Sequence, residues 1–353
     1  MGDALRDLYG DMAHVDLVDI TAEYLPWPLG ELNAIYNQLV RLHGWPWALT
    51  YHLTNDPLRV ALLKSSWWLL TGKPILNFLS DYPADVIVCC HPLLKAPIVQ
   101  ALEIAGLDIP LVTLVTDLAS GHASWFVPGG ERCLVASDRA RARALACGLP
   151  AKSVQVTGLP VRPCFVDAAH QQPVLARARL GLDPGIPVVL LLSGADGMGP
   201  FSRLLRAILD RGVRAQLVMI TGRNEQLRAR LASETWSTAV RIEGFVHNMH
   251  EWMCAADLLV TKAGPSTIGE ALVMGLPMVL SGALPGQERP NVEYVVQGGA
   301  GIWAPSPIEV AKAVQDLLLF DNRMLTQLSQ HAQELARPDA AWRVAEIVWE
   351  TAN

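Results

Sequence analysis

At 353 residues the chain is long enough for two hydrophobic cores. Its net charge of −6 at pH 7 excludes nucleic acid as the main partner. Hydrophobic residues make up 51% and charged residues 18%, an apolar balance, yet no run reaches the roughly 18 uninterrupted apolar residues that a membrane-spanning helix needs.

In chain order, the opening Met1-Gly2-Asp3-Ala4-Leu5-Arg6-Asp7 lacks the basic and apolar regions of a signal peptide. Arg6 also stands where a myristoylation site needs Ser or Thr. A cytosolic protein is expected. Val15-Asp16-Leu17-Val18 reads as a first strand. Residues 24 to 70 then collect Tyr24, Trp27, Tyr36, Trp45, Trp47, Tyr51, Trp67 and Trp68 among prolines and the basic Arg41, His43, Arg59 and Lys64. Such a mixture suits a membrane–water interface with anionic lipid, or else a set of aromatics packed under a helical cap.

Apolar runs at Val86–Cys90, Leu111–Val115 and Cys133–Val135 follow, alternating with helix-like stretches, which is the pattern of a parallel sheet covered on both faces. His91, Asp117, His122 and Trp125 fall just beyond two of these strands. Asp117 and His91 are each either acid–base candidates or helix caps. The proline-rich Pro160 to Pro184 reads as a linker. A second set of strands is expected at Val188–Leu192, Leu217–Ile220, Leu258–Val260 and Met278–Leu280, and a last helix bears Trp342 and Trp349.

The six cysteines (Cys89, Cys90, Cys133, Cys147, Cys164, Cys254) show no Cys-x-x-Cys pair and no metal spacing, so they read as reduced core residues. The densest signal comes late. Asp257-Leu258-Leu259-Val260-Thr261 feeds a tight turn at Gly264, and a helix opens with Pro265 in its first position, where a missing N–H costs nothing. Such a turn aims free N–H groups at one point and suits a phosphate. Glu270, one turn further, is placed to accept hydrogen bonds from ribose hydroxyls. An ordinary strand–turn–helix is the competing interpretation.

The stretch from Lys262 to Ala271, with Gly275-Leu276-Pro277, Gly286-Gln287-Glu288 and Arg289 to Val296, resembles the monogalactosyldiacylglycerol synthase branch of the glycosyltransferases. These are relatives of the peptidoglycan transferase that adds N-acetylglucosamine to lipid I. Ser193 to Pro200, Gly222-Arg223-Asn224, Gly244-Phe245-Val246, Thr157 to Pro163, Thr116-Asp117-Leu118, His122 to Phe126 and Ala336 to Ala340 carry the same resemblance. It extends from about Val15 to the C-terminus.

The resemblance implies an α/β protein with the GT-B fold, in which two doubly wound domains face a cleft. Residues 1–165 would form the acceptor and membrane side, residues 166–337 the UDP-sugar side, and a helix at 338–353 would cross back. It also implies that Gly194, Gly197, Met198, Gly199, Gly264, Pro265, Ser266, Thr267, Arg223, Asn224 and Asn291 belong to the donor site. In that reading Phe245 and Val246 flank the uracil, Glu270 takes the ribose, and Gln287 and Glu288 read the sugar. Arg223 remains either a donor contact or a solvated helix start, and Gly194 to Gly199 either a second diphosphate loop or a plain glycine turn. Trp45, Trp47 and Trp125 would lie on the acceptor and membrane side. No Asp-x-Asp motif is present, and neither a metal nor another cofactor is expected.

One departure stands out. The family pattern opens with a further strand and a glycine-rich loop ending in Gly-Gly-Gly-His, thought to carry the catalytic histidine. This sequence begins inside the helix that would follow, so the first domain is expected to be truncated and slow in transfer. The base stays open between Asp117, His91 and His122. The resulting expectation is an inverting transferase that moves a hexose, galactose before glucose, from a UDP-sugar to diacylglycerol, bound peripherally at the inner face of a membrane. The alternatives are transfer to another lipid acceptor, a UDP-sugar 2-epimerase, and a nucleotide-sugar-binding homologue that lacks catalysis.

Overall fold

A computed structural model describes residues 1–41, 45–193, 201–236, 240–320 and 322–353. Gly194, Gly197, Met198 and Gly199, together with His43, lie outside the described residues. The chain divides into two compact units. One comprises Met1–Pro160, Leu284–Gln287 and Asp339–Asn353; the other comprises Val161–Ala283 and Glu288–Pro338.

In the first unit four short strands, β1 (Ile87–Cys89), β2 (Leu111–Leu114), β3 (Arg132–Val135) and β4 (Val154–Val156), pair in parallel in the order β1-β2-β3-β4. Successive side chains face opposite ways, which splits the core in two. Ile87, Cys89 and Leu111 pack with Ile75, Phe78 and Leu79 of the helix Pro57–Asp81 and with Ile98 of the helix Pro92–Ala105. Val112, Leu114 and Leu134 pack instead with Val344, Ile347 and Val348 of the helix Ala340–Ala352 and with Leu5 of the helix Gly2–Tyr9. Tyr9 and Trp349 stack at 4.1 Å between ring centroids. The two ends of the chain thus roof one face of this sheet.

The expected first strand does not form. Val15 and Val18 join different clusters, Leu17 is 80% exposed, and Asp19 caps the helix Ile20–Tyr24 by accepting from the Ala22 N–H at 3.1 Å. Four residues with a charge among them supply too little one-sided apolar surface to add to a sheet.

In the second unit the strands are β5 (Val188–Leu192), β6 (Gln216–Ile220), β7 (Val240–Glu243), β8 (Leu258–Lys262), β9 (Met278–Gly282) and β10 (Gly301–Trp303). They pair in parallel in the order β10-β9-β8-β5-β6-β7. The chain builds outward from β5 to β7, then returns to the other side of β5 at β8. The strand order therefore reverses between β5 and β8, and in such sheets the crevice beyond that pair of carboxyl ends is where ligands bind.

The segment read as a linker is two helices, Pro163–Ala169 and Pro173–Arg179, each opening on proline at its first turn. The first packs on the helices Met249–Ala255 and Pro265–Val273 and so belongs with the second unit, which moves the boundary from residue 165 to Pro160. The second is clamped by Arg177, whose guanidinium donates to the Ala255 and Pro184 carbonyls and to Asp257 at 2.7 Å. All six cysteines are free; Cys90 is exposed, not a core residue. Among the described residues no helix is long and apolar enough to cross a membrane.

Candidate functional site

The switch point of the second unit carries the predicted phosphate turn. β8 ends at Lys262, Gly264 takes the N-cap position, and the helix Pro265–Val273 begins with proline, with no side chain capping its first turn. No side chain takes up the N–H groups of that turn, an arrangement that suits an anion. Ser266 is exposed, and Pro265 and Thr267 are half-buried. The turn is tightly framed: the Gly264 N–H donates to the Lys262 carbonyl at 2.8 Å, and the Ala263 N–H to the Gly282 carbonyl at 2.7 Å. Buried Asn291 donates through Nδ2 to the Ala263 carbonyl at 3.0 Å, so its structural task is to hold the turn.

Glu288 is buried beside this turn, and Lys262 Nζ donates to its Oε1 at 2.7 Å. Glu270 follows the turn on the same helix. Burial pushes its carboxyl up to about 7, against an opposing pull from Arg162. A carboxyl poised there accepts from ribose hydroxyls when ionised and donates when protonated. At the ends of β6 and β7, Arg223 lies over the Phe245 ring at 5.1 Å, and His247 meets the same ring edge-on at 5.0 Å. Phe245 is half exposed, unlike a core aromatic, which leaves a ring face for an aromatic ligand. Val246 is half-buried. Asn224 caps the helix Glu225–Ser233 through the Leu227 N–H at 2.8 Å.

In the first unit, Asp117 follows β2 and is held by the Trp125 indole, whose Nε1–H donates to Oδ2 at 2.8 Å. Gln287 Nε2 lies 3.4 Å from Oδ1 of the same carboxylate. Gln287 is carried there by Gly286, whose φ of +83° favours glycine and whose missing side chain leaves room: a β-carbon would stand 3.2 Å from the Tyr51 ring and 3.3 Å from His52. Trp125 itself is 2% exposed and packs in the core, so its ring presents no surface to lipid.

His122 caps the short turn Ala123–Phe126, its Nδ1 accepting from the Ser124 N–H at 3.3 Å and meeting Ser124 Oγ at 2.7 Å, while Nε2 meets Thr54 Oγ1 at 3.1 Å. Burial, reinforced by nearby Arg143, lowers its pKa to about 4, so it is neutral at pH 7. His91 caps the helix Pro92–Ala105 through the Leu93 N–H, and burial lowers its pKa as well.

The aromatic segment folds as the helices Leu32–Arg41, Trp45–Thr54 and Pro57–Asp81. Trp47 turns inward against Tyr36 and Tyr51. Trp45, Leu49 and Leu53, one turn apart, face outward; so do Leu58, Leu62 and Leu69, and all six are more than half exposed. Trp67 and Trp68 lean inward, the first donating to the Leu93 carbonyl at 2.9 Å and the second packing on the core, whereas Leu69 and Leu70 point out.

Two charged residues escaped the sequence reading as site members, Lys262 and Arg162. Each sat inside a quoted motif, but only the folded proximity to Glu288 and Glu270 reveals them.

Comparison with known proteins fits this arrangement. The family described as monogalactosyldiacylglycerol (MGDG) synthase matches residues 2–161, and the glycosyltransferase family 28 C-terminal domain matches residues 188–344. Monogalactosyldiacylglycerol synthase 1 of Arabidopsis thaliana is 36% identical over 98% of this chain and 66% of its own length. The probable synthase 2 of Oryza sativa subsp. japonica is 36% identical over 98% of this chain and 75% of its own. Among solved structures, MurG of Acinetobacter baumannii shares the fold at a TM-score of 0.58 and 17% identity, covering 80% of this chain and 79% of that one. The UDP-GlcNAc 2-epimerase of Neisseria meningitidis shares it at 0.59 and 14%, covering 79% and 80%. A GT-B fold whose two parts match these two families in order, with relatives more than a third identical along nearly all of it, places the chain in the monogalactosyldiacylglycerol synthase family.

Proposed function

We propose that the chain transfers galactose from UDP-galactose to the free hydroxyl of diacylglycerol, with inversion at the sugar. The observation that carries this reading is the uncapped helix turn at Gly264–Thr267 on the switch point of the second unit, with Glu270 one turn beyond it. Uracil would stack on Phe245 beside Arg223, ribose would meet Glu270, and the diphosphate would meet the helix end. Backbone N–H groups serve the diphosphate here, so the transfer is read as needing no resident metal.

Of the three candidate bases, His91 and His122 are engaged as caps and His122 sits far below the range of an effective base at neutral pH. Asp117 is the carboxylate held by Trp125 and adjoining Gln287, the residue proposed to read the sugar. It would take the proton of the attacking hydroxyl. The lipid acceptor would be met by a peripheral attachment to the inner face of a membrane. The outward Trp45, Leu49, Leu53, Leu58, Leu62 and Leu69 support that part, being apolar side chains aligned on two helix faces.

The test is turnover of UDP-galactose with diacylglycerol in vesicles containing anionic lipid, in parallel with UDP-glucose. Galactolipid should form, and Asp117→Asn should lower kcat about 10²–10⁴-fold with UDP affinity retained. Free galactose or epimerised donor as the product would refute the acceptor assignment. Full activity in Asp117→Asn would remove that residue as the base.

A further inference from the structure

The pairing of Lys262 with Glu288 is unusual for its location. A buried carboxylate at the mouth of a phosphate-binding helix end opposes the ligand that the helix attracts, unless a cation stands between them. Lys262 is that cation. The parallel register of β8 with β9 breaks there: Thr261 faces Leu280 but Lys262 faces Gly282, so β9 carries Ser281 as an extra residue. Bulges of this kind re-aim a side chain at the end of a strand. There Lys262 Nζ lies 2.7 Å from Glu288 Oε1 and 3.6 Å from where a β-carbon of Gly264 would stand, beside the N-cap, while the side chain as a whole remains partly open to solvent.

Resting on the donor-site reading above, we infer that Lys262 is a further catalytic residue of the transfer: its ammonium, held in place by Glu288, meets the diphosphate and balances the charge that collects there as the sugar leaves. In that step the acceptor oxygen bonds to the anomeric carbon and its proton passes to the catalytic base. The bond from that carbon to the β-phosphate oxygen breaks, and its electron pair departs with UDP. One oxygen of the diphosphate gains charge during the step, and an ammonium already fixed at the helix end needs no reorganisation to meet it. Glu288 then acts as a positioning residue for Lys262, which separates it from its neighbour Gln287.

Titration calorimetry of the full chain with UDP and with uridine tests this. Lys262→Met should weaken UDP about 10–100-fold and leave uridine unchanged, since only the phosphates meet the ammonium. Lys262→Arg should keep UDP within a few-fold, because the charge survives. Glu288→Gln should weaken UDP more than uridine, whereas Gln287→Ala should spare both. In the transfer assay Lys262→Met should lower kcat about 10²–10³-fold at saturating donor. Equal losses for UDP and uridine, or an unchanged UDP affinity in Lys262→Met, would overturn the assignment while the donor site stands. Failure of the parent chain to bind either ligand would overturn the donor-site reading and this inference with it.

Discussion

Lys95 shows what a single residue can reveal. It is 2% exposed on the helix Pro92–Ala105, and burial lowers its pKa, only partly offset by the thiols of Cys133 and Cys89; among the described residues no carboxylate pairs with it. Its ammonium thus carries a desolvation penalty that no carboxylate offsets. Lys95→Met should raise stability at pH 7 by about 1–3 kcal/mol. The sign with pH follows. A lysine whose folded pKa is depressed penalises the fold below that pKa, and the penalty fades as pH rises toward the unfolded value of 10.5. Chemical denaturation of both proteins from pH 7 to pH 10 should therefore show the gap closing; a constant gap would mean that packing, not charge, separates them. None of this is legible in the sequence, where nothing marks Lys95 as buried. The donor turn is the opposite case, because Gly264, Pro265 and Glu270 announce themselves through local backbone rules. Lys262 falls between, its role depending on a bulge that no residue pattern specifies.

At the scale of elements, long apolar strands such as β5 and β8 were readable from composition alone, because burial on both faces leaves no room for polar residues. The strands β4, β7 and β10 were not, being three or four residues long with polar or half-buried positions at sheet edges. Val15–Val18 failed for the converse reason, a run that looks apolar but whose Asp16 and exposed Leu17 leave it no single face to bury. The helices of residues 45–81 make a prediction of their own. Trp45, Leu49 and Leu53 repeat at i, i+4 and i+8, so their face is continuous along the helix, and Leu58 and Leu62 repeat the same spacing on the next helix. Trp45→Ser with Leu49→Ser should cut co-flotation with anionic vesicles at least several-fold while circular dichroism stays unchanged, since each side chain already faces water. The inward Trp47→Phe should float like the parent. Equal flotation of the Trp45/Leu49 double variant and the parent would place the attachment elsewhere.

At the scale of the whole molecule, the two-unit α/β organisation followed from two sets of strands separated by a proline-rich segment, while the exact seam did not. Prolines that seemed to mark a linker instead start helices, and a four-residue excursion, Leu284–Gln287, belongs to the first unit although the chain around it builds the second. No sequence rule exposes such a detour.

The C-terminal helix has a consequence for synthesis. One face of the first sheet waits on Val344, Ile347 and Val348, which are made only after the whole second unit. The usual order, in which the leading domain folds first, is therefore reversed: the second unit can close while the first still lacks its roof. At about 5–20 residues per second, the stretch from Pro160 to Asp339 keeps Val112, Leu114 and Leu134 only partly covered, by the helix Gly2–Tyr9, for roughly 10–40 seconds. Chaperones that hold nascent apolar surface should occupy the first unit through this interval. Stalled chains ending at residue 339 should be cut by protease within residues 1–160 yet resist it within residues 188–335, and chains carrying a further linker past residue 353 should resist throughout. Early protection of residues 1–160 would show that the first unit closes without the helix.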